Sequence, residues 1–131
     1  MILAVCADNR LGMSFGGRRQ SKDAEVRCKL WELSGRKLRM SDYSARQFEE
    51  SVYHGPDYLS GAKNGDWCFA ENPDYEDFAD SIEQIVLFRW NRHYPADVQF
   101  RFPGKWALTG YEDFPGSSHE KITMEVYEKC E

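Results

Sequence analysis

The chain has no excess of basic charge, no long apolar run and few histidines, and each shortage removes a class of function. Its 17 Lys and Arg stand against 22 Asp and Glu, a formal net charge of −5. A general nucleic-acid coat needs a basic surface to neutralise phosphate, so that role is excluded. No run approaches the roughly 20 apolar residues that a membrane span requires. The apolar N-terminal stretch has neither a basic segment before it nor a small-residue cleavage site after it. The expectation is a soluble, cytoplasmic protein with no membrane partner. The three histidines, His54, His93 and His119, lack the His-x-His-x-Asp-His spacing of a two-metal site, and His119-Glu120 lacks the second His of HExxH. No metal is expected, and each histidine is read as a surface or hydrogen-bonded side chain. The four cysteines, Cys6, Cys28, Cys68 and Cys130, form no CxxC pair and are read as buried free thiols. No Walker A or Gly-x-Ser-x-Gly motif occurs, so classical nucleotide-triphosphate binding and nucleophilic hydrolysis have no motif behind them.

What is present is a globular composition: 131 residues, 41% hydrophobic and 15% aromatic. That length predicts one domain, residues 1–131, with a real core. The organising stretch is the beginning. Ile2 to Ala7 is an unbroken apolar run closed by Asp8-Asn9 and Gly12, which reads as a strand covered on both faces, entering a loop. Gly16-Gly17-Arg18-Arg19-Gln20-Ser21-Lys22-Asp23 follows, a glycine pair and basic cluster leading into a helix. Ser21 is the expected N-cap, with Asp23 and Glu25 in the first turn, Val26, Leu30 and Leu33 on one face, and Ser34-Gly35 as the stop.

Leu38 and Met40 suit a short second strand. Ser44 and Gln47 read as a capping box before a helix carrying Phe48 and Val52, broken at His54-Gly55-Pro56. Residues 57–66 read as a loop, Trp67 to Ala70 as a third buried strand, and Asn72-Pro73 as a helix start. Gln84 to Trp90 is dense in strand formers. Trp106 to Gly110 and Lys121 to Glu128 alternate as antiparallel strands. The fold class is α/β: a central mixed sheet, flanking helices and a C-terminal antiparallel meander.

Three stretches carry candidate chemistry. Arg18, Arg19, Gln20 and Ser21, with Lys22 beside them, combine guanidiniums, a hydroxyl and free N–H groups at a helix start, an anion receptor in kind. Arg89, Trp90, Asn91 and Arg92 combine stacking and hydrogen-bonding groups that could hold a ring. Ser117, Ser118 and His119, after Gly116, could meet a phosphate, although a turn explains the same residues.

The order of elements and several local motifs resemble dihydrofolate reductase. The opening Leu3-Ala4-Val5-Cys6-Ala7-Asp8-Asn9-Arg10-Leu11-Gly12-Met13 is similar to that family's first strand and turn. The strand ending in Met40, the Ile85-Val86-Leu87-Phe88 strand, Ala96 to Phe100, Trp106 with Leu108, and Thr123 to Lys129 resemble its later elements. The resemblance implies that Asp23, near the place of the family's pterin-contacting acid, would be the catalytic residue of a reductase. The family's phosphate-contacting motifs are replaced by Ser41-Asp42-Tyr43-Ser44 and Glu71-Asn72-Pro73-Asp74, which implies no nicotinamide cofactor of the usual kind. The chain also resembles short bacterial proteins labelled ribonuclease Z, through Arg18 to Ser21, Trp90-Asn91-Arg92 with Tyr94 to Asp97, and Gly116 to Lys121. The missing histidine cluster argues against that label. The leading expectation is a protein that binds or sequesters an anionic, nucleotide-like small molecule without catalysis and without a cofactor. The alternatives are a reduced pterin- or nucleotide-dependent reductase using Asp23, and an interaction or inhibitor module with a protein partner or a second copy of itself.

Overall fold

A computed structural model describes residues 1–130. Its centre is a seven-stranded sheet in the order β5-β4-β6-β1-β7-β10-β9. The strands are β1 (Ile2–Ala7), β4 (Leu38–Met40), β5 (Tyr53–His54), β6 (Trp67–Phe69), β7 (Gln84–Arg89), β9 (Trp106–Phe114) and β10 (Ile122–Lys129). The five strands from β5 to β7 run parallel, and β10 and β9 join antiparallel. The α/β mixed sheet is therefore as expected from the sequence. The close of the chain is not a simple meander: β9 goes to the edge, and β10 returns to fill the place between β9 and β7. The reason lies in the side chains. Ile122 is fully buried against the core, whereas most of β9 is exposed.

β1 is covered on both faces, as its unbroken apolar run requires. Leu3, Val5 and Ala7 join Tyr75, Ile85, Leu87 and Phe100 in one core layer. Ala4 joins Val26, Leu30, Val86, Phe88 and Trp90 in the other. Helix α1 (Ala24–Leu33) closes the second layer through Val26 and Leu30. The first layer is closed by a 3₁₀ helix, Pro73–Ser81, whose Tyr75 is fully buried, where a regular helix start was expected. Asn72 caps it through a bond from the Asp74 N–H at 3.0 Å.

Three local differences from the sequence expectation have clear causes. Gly12–Phe15 (β2) and Arg18–Arg19 (β3) form a hairpin rather than an open loop, and Val98–Gln99 (β8) completes a small second sheet with them. The turn is Gly16-Gly17, with φ of 59° and 76°, the two left-handed positions that a two-residue hairpin loop demands. Asp23, not Ser21, caps α1, because its carboxylate accepts the Glu25 N–H while the Ser21 hydroxyl is engaged by His119. The second helix, α2, is a single turn, Asp42–Ala45, capped by Ser41. Ser41 takes the Ser44 N–H one turn early, and Gln47 donates to Glu71 at 3.0 Å instead of reaching back to a cap. The thiols are free, as expected, but only Cys68 is fully buried; Cys28 and Cys130 are exposed.

Among the described residues no helix is long and apolar enough to cross a membrane.

Candidate functional site

The carboxyl ends of β1, β4, β6 and β7 point to the same edge of the sheet, where open α/β sheets take their ligands. The loops leaving those ends carry the candidate residues. The loop after β1 is tied down by Asp8, whose buried carboxylate accepts the Arg10 and Gly12 N–H groups at 2.9 and 2.8 Å, the Gln20 amide at 3.1 Å and the Tyr94 N–H at 3.2 Å. These bonds outweigh burial and hold the Asp8 carboxyl below its usual range. Gly12 is required here, since a Cβ would stand 2.5 Å from the Gln20 amide and 2.7 Å from Ala96. Gln20 is thus a structural clasp.

The most concentrated chemistry surrounds Asp23 at the head of α1. Both its carboxylate oxygens are enclosed. Oδ1 accepts from the N–H groups of Glu25 and Ser117, each at 2.9 Å, with the Ser117 hydroxyl at 3.1 Å. Oδ2 accepts from the Ser118 N–H at 2.9 Å and from the Nδ1 of His119 at 2.9 Å, with the Ser118 hydroxyl at 3.1 Å. Burial would raise this carboxyl, but the donors overcome it and hold the group far below the usual carboxylate range. A carboxylate only accepts, so Nδ1 of a neutral His119 carries the proton and Nε2 presents a lone pair. The Ser21 hydroxyl at 3.1 Å and the Tyr94 hydroxyl at 3.0 Å both reach that Nε2. Trp90 lies flat against the imidazole, 4.6 Å between centroids and 18° between planes. His119 is 4% exposed, yet Ser21 is half-buried and opens outward.

It opens into a cleft of about 510 Å³ lined by Arg18, Arg19, Ser21, Lys22, Tyr43 and Ser118. The two arginines differ. Arg19 is locked in a two-pronged pair with Glu71, Nε at 2.7 Å and Nη2 at 3.1 Å, and lies over the Tyr43 ring at 4.3 Å. Arg18 and Lys22 are exposed, and among the described residues neither has a carboxylate within 4.0 Å. The free positive charge of the cleft is therefore Arg18 and Lys22.

Of the other predicted residues, Ser117, Ser118 and His119 come together with Ser21 and Asp23 although nearly a hundred positions separate them. The run Arg89 to Arg92 does not join this cleft as a unit. Arg89 pairs with Glu125 at 2.6 Å, and Asn91 donates to the Lys121 carbonyl and the Thr123 hydroxyl, both at 3.0 Å. Trp90, Asn91 and Arg92 together line a second cleft of about 580 Å³ with Asn9, Glu120 and Lys121. Trp90 alone reaches the site, through its stack on His119. Tyr94 and Glu71 appear in stretches of the sequence set beside known families, but neither is a candidate site residue there, because an isolated Tyr and a Glu in a turn give no pattern of chemistry. Among the described residues no three His, Cys, Asp or Glu side chains gather as a metal-binding set.

No family model matches the chain, and no curated protein is similar enough to match. The likeness to proteins labelled ribonuclease Z thus has no support. Among solved structures, the chain is similar to a dihydrofolate reductase from Enterococcus faecalis complexed with NADP(H) and RAB-propyl. The TM-score is 0.65 at 9% sequence identity, over 100% of this chain and 97% of that one. The fold described above is that of a dihydrofolate reductase.

Proposed function

We propose that the protein binds an anionic, nucleotide-like small molecule in the cleft at the head of α1 and does not reduce it. The observation that carries this reading is the pair of unneutralised cations, Arg18 and Lys22, on a cleft that also presents the Ser21 and Ser118 hydroxyls and the Tyr43 ring. Charge-assisted bonds from a guanidinium and an ammonium fit phosphate or carboxylate, and the ring offers a face for a base. The structurally similar reductase was solved with NADP(H), and a nucleotide-like ligand agrees with that precedent. Binding without reduction is favoured over pterin reduction because Asp23 has no free oxygen. Six donors surround its carboxylate, so it cannot also read a pterin ring.

The test is a titration of the wild type with inorganic phosphate and AMP, followed by amide NMR. Shifts should concentrate at Arg18, Ser21, Lys22 and Ser118. Arg18→Ala with Lys22→Ala should weaken binding by roughly 100-fold, on about 1.5–3 kcal/mol per charge-assisted contact. Unchanged affinity in that variant would place the ligand elsewhere.

A further inference from the structure

The polar cluster at the head of α1 does more than line a cleft. Its three members stand in the order carboxylate, imidazole, hydroxyl: Asp23 Oδ2 to His119 Nδ1 at 2.9 Å, and His119 Nε2 to Ser21 Oγ at 3.1 Å. Such a constellation is recognised by geometry and roles, whatever the chain order or fold. The carboxylate and the imidazole are buried, while the hydroxyl faces the cleft. Among the described residues the N–H groups of Ser21 and Lys22 donate to no protein acceptor, unlike those of Ala24 and Glu25. Two successive amide donors, those of Ser21 itself and the residue after it, are thus left unpaired, the kind of group that steadies an oxyanion.

We propose that Ser21 is a nucleophile activated by His119, with Asp23 as the positioning residue, and that the substrate is a carboxylic ester carrying a negative charge near the ester bond. The choice of an anionic substrate rests on the binding reading above; the activation of Ser21 does not. The Ser21 oxygen attacks the ester carbonyl carbon while its proton passes to His119 Nε2. The tetrahedral intermediate collapses, the bond to the alcohol oxygen breaks, and the alcohol leaves with the proton from His119. Water then attacks the acyl carbon, giving a proton to His119, and Ser21 leaves as its hydroxyl is reprotonated. The sum is ester plus water to acid plus alcohol. Arg18 and Lys22 hold the charged part of the ester. Tyr94, whose hydroxyl reaches the same Nε2 at 3.0 Å, competes with Ser21 for the lone pair.

The experiment has three parts on the whole protein. A fluorophosphonate probe should label the wild type at Ser21, located by peptide mass spectrometry, and should not label Ser21→Ala. A folded wild type that stays unlabelled overturns the nucleophile. Ser21→Cys then gives a measure that needs no buried substitution: its alkylation by iodoacetamide should exceed that of the exposed Cys28 and Cys130 in the same molecule by about tenfold or more. Equal rates overturn the activation. Third, 4-nitrophenyl hemisuccinate should be hydrolysed with at least tenfold higher kcat/KM than 4-nitrophenyl acetate, and Arg18→Glu with Lys22→Glu should erase that preference. Preference for the neutral ester overturns the substrate class. Phosphate-dependent shifts in an unlabelled wild type would defeat the nucleophile and leave the binding reading standing. A labelled Ser21 with no phosphate response at Arg18 or Lys22 would do the reverse.

Discussion

Replacing Asp23 by Asn, an isosteric change that removes one charge, probes the site most sharply. Whichever carboxylate oxygen becomes the amide NH₂, it faces three donors. On the Oδ1 side two of them are backbone N–H groups, Glu25 and Ser117, which cannot turn into acceptors. On the Oδ2 side only the Ser118 N–H is fixed; the Ser118 hydroxyl can rotate and His119 can move its proton. The amide therefore points its NH₂ toward Ser118 and His119. The cost is one orphaned buried N–H, about 1–3 kcal/mol, together with charge-assisted bonds reduced to neutral ones. The whole loss should be about 3–4 kcal/mol, near the upper end for a single substitution. The urea midpoint should drop with the slope unchanged, so that stability and not compactness is what moved. The same substitution transfers the imidazole proton to Nε2, so the lone pair no longer faces Ser21. In the Ser21→Cys background, alkylation should slow to the rate of Cys28. A loss under about 1 kcal/mol, with alkylation unchanged, would refute the account of Asp23 as an acceptor saturated by fixed donors.

Gly116→Ala would put a Cβ 2.5 Å from Asp23 Oδ2 and 2.8 Å from both the His119 carbonyl oxygen and Ile122. Overpacking of this kind should cost about 1–3 kcal/mol, read by denaturant melting, and should halt Ser21 labelling. The paired arginines should separate. Arg18→Ala should leave stability within about 0.5 kcal/mol, as for an open surface side chain. Arg19→Ala, which strips the two-pronged partner from the half-buried Glu71, should lower it by about 1–3 kcal/mol, and Glu71→Gln should recover part of that loss. Acid should destabilise the protein through Asp23 and Asp8. Both carboxyls are depressed in the fold, so their stabilisation is complete above the unfolded value of about 3.9 and is lost as pH falls below it. Melting temperature measured from pH 6 to pH 2 should be flat at first and then fall below about pH 4, with a shallower fall in Asp23→Asn.

The frame of the fold was legible because its signals are local. An unbroken apolar run at Ile2 to Ala7 requires cover on both faces, and Ser34-Gly35 marks the end of α1 by its own chemistry. The capping residue was missed by two positions because Ser21 and Asp23 are both good caps. A long-range partner, His119, decides between them. For the same reason the capping box at Ser44 was misread: Glu71 draws Gln47 away, and nothing near Gln47 in sequence reveals it. The cleft at the head of α1 was half visible. Arg18, Arg19 and Ser21 stand together in the sequence, but only the fold shows that Glu71 neutralises Arg19 and leaves Arg18 and Lys22 free. The Ser21, Asp23 and His119 cluster has no motif because its three members come from three places: the turn before α1, the helix cap and the loop joining β9 to β10.

That separation decides when the cluster at the head of α1 can exist. Asp23 and His119 are 96 positions apart, and the loop holding His119 is placed only when β10 slots between β7 and β9. Contacts this distant in sequence carry a large loop-closure cost and form late. The parallel sheet from β5 to β7 can be drawn together by its own crossovers, yet without the final hairpin Asp23 faces no imidazole and the Ser21 hydroxyl loses its His119 partner. The site is thus absent from an unfinished chain during synthesis, and it disappears whenever the C-terminal hairpin opens, even while the rest of the sheet stays folded.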